Sequence, residues 1–94
     1  MPTVHLPAAL RGYAAGRKLL QVDLAGGPAT VAALLEAVGR DHPGVRQRVL
    51  DERGVLRRHV NVYVNGQSIR DLAGLATPVG DHDEVWIVPS ISGG

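Results

Sequence analysis

One segment of this sequence has the pattern of an amphipathic helix, and strand patterns lie on both sides of it. In TVAALLEAVGRDHP, residues 30–43, Thr30 is a good N-cap residue. The apolar residues after it recur at helical spacing, namely Val31, Leu34, Leu35 and Val38. Pro43 predicts the end of the helix. Because the apolar face is one-sided, we expect the helix to pack on a flat partner, which a β-sheet provides.

The residues before the helix predict a hairpin. We predict a first strand at residues 3–10, with Pro7 at an edge or a strand end, a turn at 11–17 and a second strand at 18–24. The segment AGGP at 25–28 ends that strand.

The segments after the helix are predicted, in order, as a short second helix or turn (44–54), a strand (59–66), a short return strand (67–72), an irregular stretch (73–83) and a last strand (84–89). The strand pattern is strongest in HVNVYVNG, where three valines alternate with Asn61 and Tyr63. Asn65 and Gly66 predict a tight turn, since both residue types tolerate positive φ.

This order of elements predicts an α+β fold. We favour a β-grasp, a mixed sheet of four to five strands covered on one face by one main helix. The prediction divides the chain into a β-grasp domain at residues 1–89 and a flexible tail at 90–94 that ends in Gly-Gly.

Composition excludes several classes of function. The 94 residues include no cysteine, so disulfides, iron–sulfur ligation, a persulfide carrier and a thiol nucleophile are excluded. The net charge of +1 gives no strong attraction to nucleic acid or to a membrane. No segment has the pattern of a signal peptide or a membrane span, so we expect a cytoplasmic protein.

The last strand offers a candidate surface for partners. If Val85 and Ile87 face the helix, Trp86 and Val88 lie on the open side of the sheet. Trp86 would then form a partner-binding patch with Tyr63 and Ile91, because Trp and Tyr dominate interface hot spots. The alternative is that a loop covers Trp86 and the side chain belongs to the core.

Three other groups of residues suggest sites less strongly. Residues 81–84, Asp-His-Asp-Glu, are expected to form a turn and to hold no metal ion, since the four histidines lack ligand spacing. No motif arranges a serine with histidine and aspartate. Six arginines could dock an acidic partner, although a solvated face is favoured: Arg46, Arg48, Arg53, Arg57, Arg58 and Arg70. In the segment 44–54 we expect Arg46, Arg48 and Arg53 to point toward water.

Three stretches resemble the ubiquitin-like sulfur carriers of the MoaD/ThiS family: VNVYVNGQSIR, LATPVGDHDEVWIVP and the terminal SGG. The resemblance covers the whole chain, and VNVYVN and GLAT are similar to the CysO-like branch, which serves cysteine biosynthesis. His82 replaces the usual Gly between two acidic residues, and Ser90 replaces the usual Pro or Ala.

The resemblance implies a chemistry for the tail. An E1-like activating enzyme uses ATP to adenylate the carboxylate of Gly94, and sulfide or a sulfurtransferase persulfide converts it to a thiocarboxylate. The residues that would thread the enzyme's channel are Ile91, Ser92 and Gly93. A narrow channel suits Gly93 and Gly94, because glycine has no Cβ atom. The carrier binds no cofactor itself and is a co-substrate, not an enzyme.

The resemblance implies a cysteine-synthase-like acceptor and a metallopeptidase that releases the product. Three alternatives remain open. The first is a small subunit of molybdopterin synthase, or a carrier for another sulfur-containing metabolite, with the synthase large subunit as a partner. The second is a ubiquitin-like modifier of lysines. The third is a nucleic-acid-binding β-grasp module, for which a basic stripe and stacking aromatics are not evident.

Overall fold

The computed structural model of the chain describes residues 1–24 and 29–89. Its strands are β1 (Thr3–His5), β2 (Leu19–Gln21), β3 (Ala29–Thr30), β4 (Val60–Val64), β5 (Gln67–Ser68), β6 (Pro78–Val79) and β7 (Glu84–Pro89). Its α-helices are α1 (Ala8–Arg11), α2 (Val31–Asp41) and α3 (Pro43–Val49). Short 3₁₀ helices occur at Gly12–Ala14, Ile69–Asp71 and Gly74–Ala76. The predicted break at 25–28 and the predicted tail at 90–94 lie outside the described residues.

The main sheet has five strands in the order β2-β1-β7-β4-β5. The strand β7 lies at its centre, parallel to β1 and antiparallel to β4. The pair β1 and β2 forms the predicted antiparallel hairpin, and β3 pairs with β6 in a separate two-stranded sheet. The mixed five-stranded sheet and its covering helix confirm the predicted β-grasp.

The helix α2 covers one face of the sheet and supplies much of the core. The Oγ1 of Thr30 accepts a hydrogen bond from the backbone N–H of Ala33 at 3.2 Å, which confirms the predicted N-cap. The predicted apolar stripe is buried: Val31, Leu34, Leu35 and Val38. The sheet contributes buried residues such as Val4, Val62, Val85 and Ile87. The helix and the sheet each bury one apolar face against the other, which explains the amphipathic pattern in the sequence of α2.

The first predicted strand is too long. Extended pairing stops at His5, and the next residues form α1, which begins after Pro7 in an extended conformation (φ −69°, ψ 158°). The 3₁₀ helix follows, so the predicted turn at 11–17 is reduced to Ala15 and Gly16, with φ of 55° and 79°. The helical path places Leu10 and Ala14 in the core, which an extended continuation of β1 would not do.

The other differences concern short elements. The predicted return strand is extended only at Gln67–Ser68, after which Ser68 Oγ accepts a hydrogen bond from the N–H of Arg70 at 3.3 Å and caps a 3₁₀ helix. The stretch predicted as irregular contains β6. The turn at Asn65 and Gly66 is confirmed, with φ of 49° and 88°. Within the described ranges, no helix has the length and apolar character needed to cross a membrane.

Candidate functional site

The strand β7 determines where the C-terminal residues begin. Its register with β4 runs from Val64 opposite Val85 to Val60 opposite Pro89. Its register with β1 pairs His5 with Trp86. Hydrogen bonding on both sides holds β7 in the sheet, so the residues after Pro89 start from a fixed point. The predicted threading residues Ile91, Ser92 and Gly93 and the predicted reactive Gly94 lie outside the described residues.

Trp86 lies on the open side of the sheet. Trp86 is 47 % exposed and Val88 is 37 % exposed, whereas Val85 and Ile87 are buried. Of the two alternatives left by the sequence, the exposed position is the correct one. Pairing across the strands gives a continuous row on this open face, consisting of Leu19, His5, Trp86, Tyr63 and Ser68.

Tyr63 and Val88 complete the apolar part of this surface. Tyr63 is half-buried and pairs with Trp86, while Val88 pairs with Asn61. Cross-strand partners on one face have neighbouring side chains, so Trp86 and Tyr63 are brought together as predicted. Ile91, the third predicted member of the patch, lies outside the described residues.

His5 is a member of the open face that sequence reasoning missed. Its ring stacks on the indole of Trp86, with centroids 3.8 Å apart and planes inclined by 3°. Its Nε2 lies 2.7 Å from Oε1 of Glu84. The alternation of His5 with the buried Val4 could have placed His5 on the open face. Its contact with Trp86 depends on pairing between strands at opposite ends of the chain.

Most of the predicted arginine surface is engaged within the protein. Arg46 donates two hydrogen bonds to Glu36, at 2.9 Å from Nε to Oε1 and 2.8 Å from Nη2 to Oε2. The expectation that Arg46 points to water is therefore wrong, because it joins α3 to α2 through a bidentate pair. Arg70 Nη2 donates to the carbonyl of Val60 at 2.7 Å, and Arg57 Nε donates to that of Gln47 at 2.9 Å.

The acidic segment before β7 forms the predicted turn. The N–H of Gly80 donates to Oδ2 of Asp83 and the Nδ2 of Asn65 donates to Oδ1, each at 2.8 Å. These two hydrogen bonds, the first above all, hold the pKa of Asp83 below its ordinary value. In residues 1–24 and 29–89 no group of three or more His, Asp or Glu side chains is placed to hold a metal ion. Through these hydrogen bonds, the carboxylate of Asp83 connects the turn to Asn65, the residue that follows β4.

Sequence comparison identifies relatives along nearly the whole chain. The model of the ThiS family matches residues 4–94. The sulfur carrier protein CysO of Mycobacterium tuberculosis is 36 % identical over 94 residues, covering 98 % of this chain and 97 % of the relative. Small archaeal modifier protein 1 of Haloferax volcanii is 39 % identical over 80 residues, covering 85 % and 86 %.

Structural comparison agrees with the sequence matches. The crystal structure of the BexX/CysO complex of Amycolatopsis orientalis contains a chain with a TM-score of 0.87 and 34 % identity, with 100 % of both chains covered. The family match over residues 4–94 and the five-stranded mixed sheet lead to the same conclusion as this structural similarity. The chain belongs to the ThiS family and has its ubiquitin-like β-grasp fold.

Proposed function

We propose that this protein is a sulfur carrier whose reactive group is the carboxylate of Gly94. The observation that carries the proposal is the match to the ThiS family, which runs through residue 94 and so includes Gly93 and Gly94. The relative in Mycobacterium tuberculosis is named as a sulfur carrier protein. The carrier acts as a co-substrate, and the bond-making is done by its partner enzymes.

Carboxylates are poor electrophiles, so the first step of the proposed chemistry is activation. In an E1-like enzyme, a carboxylate oxygen of Gly94 attacks the α-phosphorus of ATP, and pyrophosphate leaves. Sulfide, or the persulfide of a sulfurtransferase, then attacks the acyl carbon and AMP leaves, which produces a thiocarboxylate once any remaining S–S bond is reduced by a thiol. Two steps with good leaving groups replace one difficult displacement.

The geometry suits this division of labour. The five residues after Pro89 reach at most about 17 Å when extended, which is enough to enter a partner's active site. The folded part of the carrier can bind the partner enzyme through the surface formed by Trp86, Tyr63 and Val88. Binding through this surface would position the Gly94 carboxylate without demanding bulky side chains near the reacting carbon.

We favour cysteine synthesis as the destination of the sulfur. The acceptor would be a cysteine-synthase-like enzyme that presents an electrophilic aminoacrylate. The thiocarboxylate adds to it, and the thioester rearranges to an amide because the new amine lies close to the Gly94 carbonyl. A metallopeptidase then hydrolyses the Gly94–cysteine amide and regenerates the carrier.

A second candidate function is protein modification. The similarity to small archaeal modifier protein 1 favours it. The activation step would be the same, but the amine of a target lysine would attack the activated carbonyl. Intact mass spectrometry of the protein purified from its own cells separates the two functions. A mass gain equal to one oxygen replaced by one sulfur supports the carrier, whereas conjugates to lysines without that species contradict it.

A further inference from the structure

The strand β2 lies at one edge of the main sheet. Among the strands that the structure describes, it pairs only with β1. The N–H of Leu6 donates to the carbonyl of Lys18 at 2.8 Å. Because inward and outward groups alternate along an antiparallel strand, the N–H and C=O groups of Leu19 and Gln21 point away from β1. The outer edge of β2 therefore presents donors and acceptors that another strand could pair with.

The side chains on this edge carry both an apolar group and two opposite charges. Leu19 is 44 % exposed, although it is a leucine within a strand. Gln21 is exposed as well, and so are Arg17 just before the strand and Asp23 just after it. Alternation along the extended chain places these four side chains on the open face of the sheet. A neighbouring strand could cover the leucine and pair with both charges.

The opposite edge of the sheet is a poorer acceptor for a strand. Its strand, β5, consists of the two residues Gln67–Ser68. The chain then turns into the 3₁₀ helix at Ile69–Asp71, which ends the extended backbone. Strand addition therefore has more backbone to pair with at β2 than at β5.

A second copy of β2 complements the first in one antiparallel register. If a twofold axis passes between the two Leu20 residues, Leu19 lies opposite Gln21 of the second copy and Arg17 lies opposite Asp23 of the second copy. Symmetry repeats each of these pairs. The outward backbone groups of Leu19 and Gln21 then meet as hydrogen-bonded pairs. Shifting the register by two residues in either direction separates Arg17 from Asp23, so the charges select this register.

The helix side of the edge is compatible with the same register. A cleft of about 360 Å³ lies between β2 and α2, and its lining includes Val22 and the charged side chains of Asp23, Arg40 and Asp41. Lys18 of the second copy would lie opposite Val22, close to a lining in which carboxylates outnumber the guanidinium. The two Lys18 residues would be about 14 Å apart along the strands, beyond the Debye length at physiological salt.

We propose that this protein associates with a second copy of itself through β2, so that two five-stranded sheets become one continuous sheet. The twofold axis is perpendicular to the sheet, so both open faces, each with its exposed Trp86, lie on the same side. This inference goes beyond the proposed function. Contact along one short strand buries little area, and contacts below about 1,200 Å² are typical of weak complexes. We therefore expect the dimer to form at high micromolar protein concentrations.

The first test uses the full chain without any partner. Sedimentation velocity should show an increase of the average sedimentation coefficient with protein concentration. In NMR spectra of the isotope-labelled protein, the backbone amide signals of Leu19 and Gln21 should shift over the same concentration range. The indole N–H signal of Trp86 should stay in place, because the open face is not the proposed contact.

A charge exchange tests the register. Arg17→Asp places two carboxylates opposite each other in both symmetric pairs, and Asp23→Arg places two guanidinium groups there. Each variant alone should associate about tenfold more weakly than the parent. An equimolar mixture of the two variants restores opposite charges in both pairs and should recover the dimer. Arg58→Asp is the matched control, because Arg58 is exposed and lies between α3 and β4. Circular dichroism checks the fold of each variant.

The proposal is overturned if the parent sediments as a monomer up to millimolar concentration. It is also overturned if the signals of Trp86 and Tyr63 shift in place of those of Leu19 and Gln21, because the open face would then be the contact. A mixture of the charge variants that associates no better than its components would reject the β2 pairing. These measurements involve neither an activating enzyme nor sulfur, so their failure leaves the carrier function standing.

Discussion

His5 and Trp86 lie face to face on the open side of the sheet, with their ring centroids 3.8 Å apart. His5 is itself held by Glu84, whose Oε1 lies 2.7 Å from Nε2. A side chain that is fixed before binding loses less entropy when a partner arrives. The stacked imidazole therefore restrains the indole, while Trp86 remains 47 % exposed, which suits the partner-binding role proposed for it.

Replacing Trp86 by alanine should weaken the binding of the activating enzyme while the fold is retained. A central aromatic anchor contributes about 2 kcal/mol or more, which corresponds to roughly 30-fold weaker binding. The dissociation constant can be measured by isothermal titration calorimetry, with circular dichroism to check the fold. Val55→Ala is the matched control, because Val55 is 48 % exposed but lies in the segment between α3 and β4. Equal losses in the two variants would contradict a specific patch on the sheet.

Gly93→Val should impair adenylation without lowering the melting temperature. The β-branched side chain adds bulk where a narrow channel must accept backbone, and Gly93 is beyond the last core strand. ATP–pyrophosphate exchange with the activating enzyme measures the first step. Gly93→Ala should give an intermediate rate. If the valine variant exchanges as fast as the parent, the channel is wide and the proposed reason for Gly-Gly is wrong.

Deleting Gly94 should abolish the same exchange reaction. The truncated chain ends at a different carboxylate, one residue short of the proposed reacting position. Thermal unfolding should not change, since the core ends at Ile87. Undiminished exchange by the shortened protein would contradict the assignment of Gly94 as the reactive residue.

Asp83 should make the stability of the protein depend on acid pH. Hydrogen bonds from the N–H of Gly80 and from Asn65 lower the pKa of Asp83 in the folded state. Its contribution is therefore complete above the pKa of an unfolded aspartate, about 3.9, and is lost as the pH falls through the folded pKa. Asp83→Asn keeps only one acceptor oxygen and should cost about 1 kcal/mol at neutral pH.

Urea unfolding of the parent and of Asp83→Asn, at neutral pH and below pH 4, tests this contribution. The difference between the two proteins should shrink in acid, because protonation weakens the carboxylate as an acceptor in the parent alone. Asp81→Asn is a suitable control, since Asp81 is exposed. A difference that stays constant with pH would show that the ionised form of Asp83 is not what stabilises the turn.

Thr30→Ala should lower the free energy of unfolding by about 1 kcal/mol. Thr30→Ser should retain most of this N-cap contribution. The reason is that a hydroxyl at this position accepts the N–H of Ala33 at 3.2 Å, and serine can replace it. Chemical denaturation measures both variants. Similar losses for alanine and serine would mean that the threonine methyl group, and not the hydrogen bond, matters.

Long periodic segments were the predictable part of the fold. The helix over Val31–Asp41 and the strands at Val60–Val64 and Glu84–Pro89 each bury one face, so their sequences carry a clear period. The same alternation predicted that Trp86 and Tyr63 share the open face. These predictions needed only the local chain and a single rule about which side is buried.

The unpredicted features depend on contacts between distant segments. The apolar run after Pro7 is compatible with a strand or a helix. The helical conformation is the one that buries Leu10 and Ala14 in the core. The pair β3 and β6 is too short to show a period. His5 meets Trp86 only because β1 runs parallel to β7.

The position of β7 at the centre of the sheet also has a mechanical consequence. An enzyme that grips the C-terminal residues pulls along the axis of β7, which is paired with β1 on one side and β4 on the other. Hydrogen bonds between strands lie across that direction, so the load is shared in shear among all of them and does not peel them one at a time. If partner enzymes handle the C-terminal residues as proposed, we expect this arrangement of β7 to resist unravelling of the sheet under that tension.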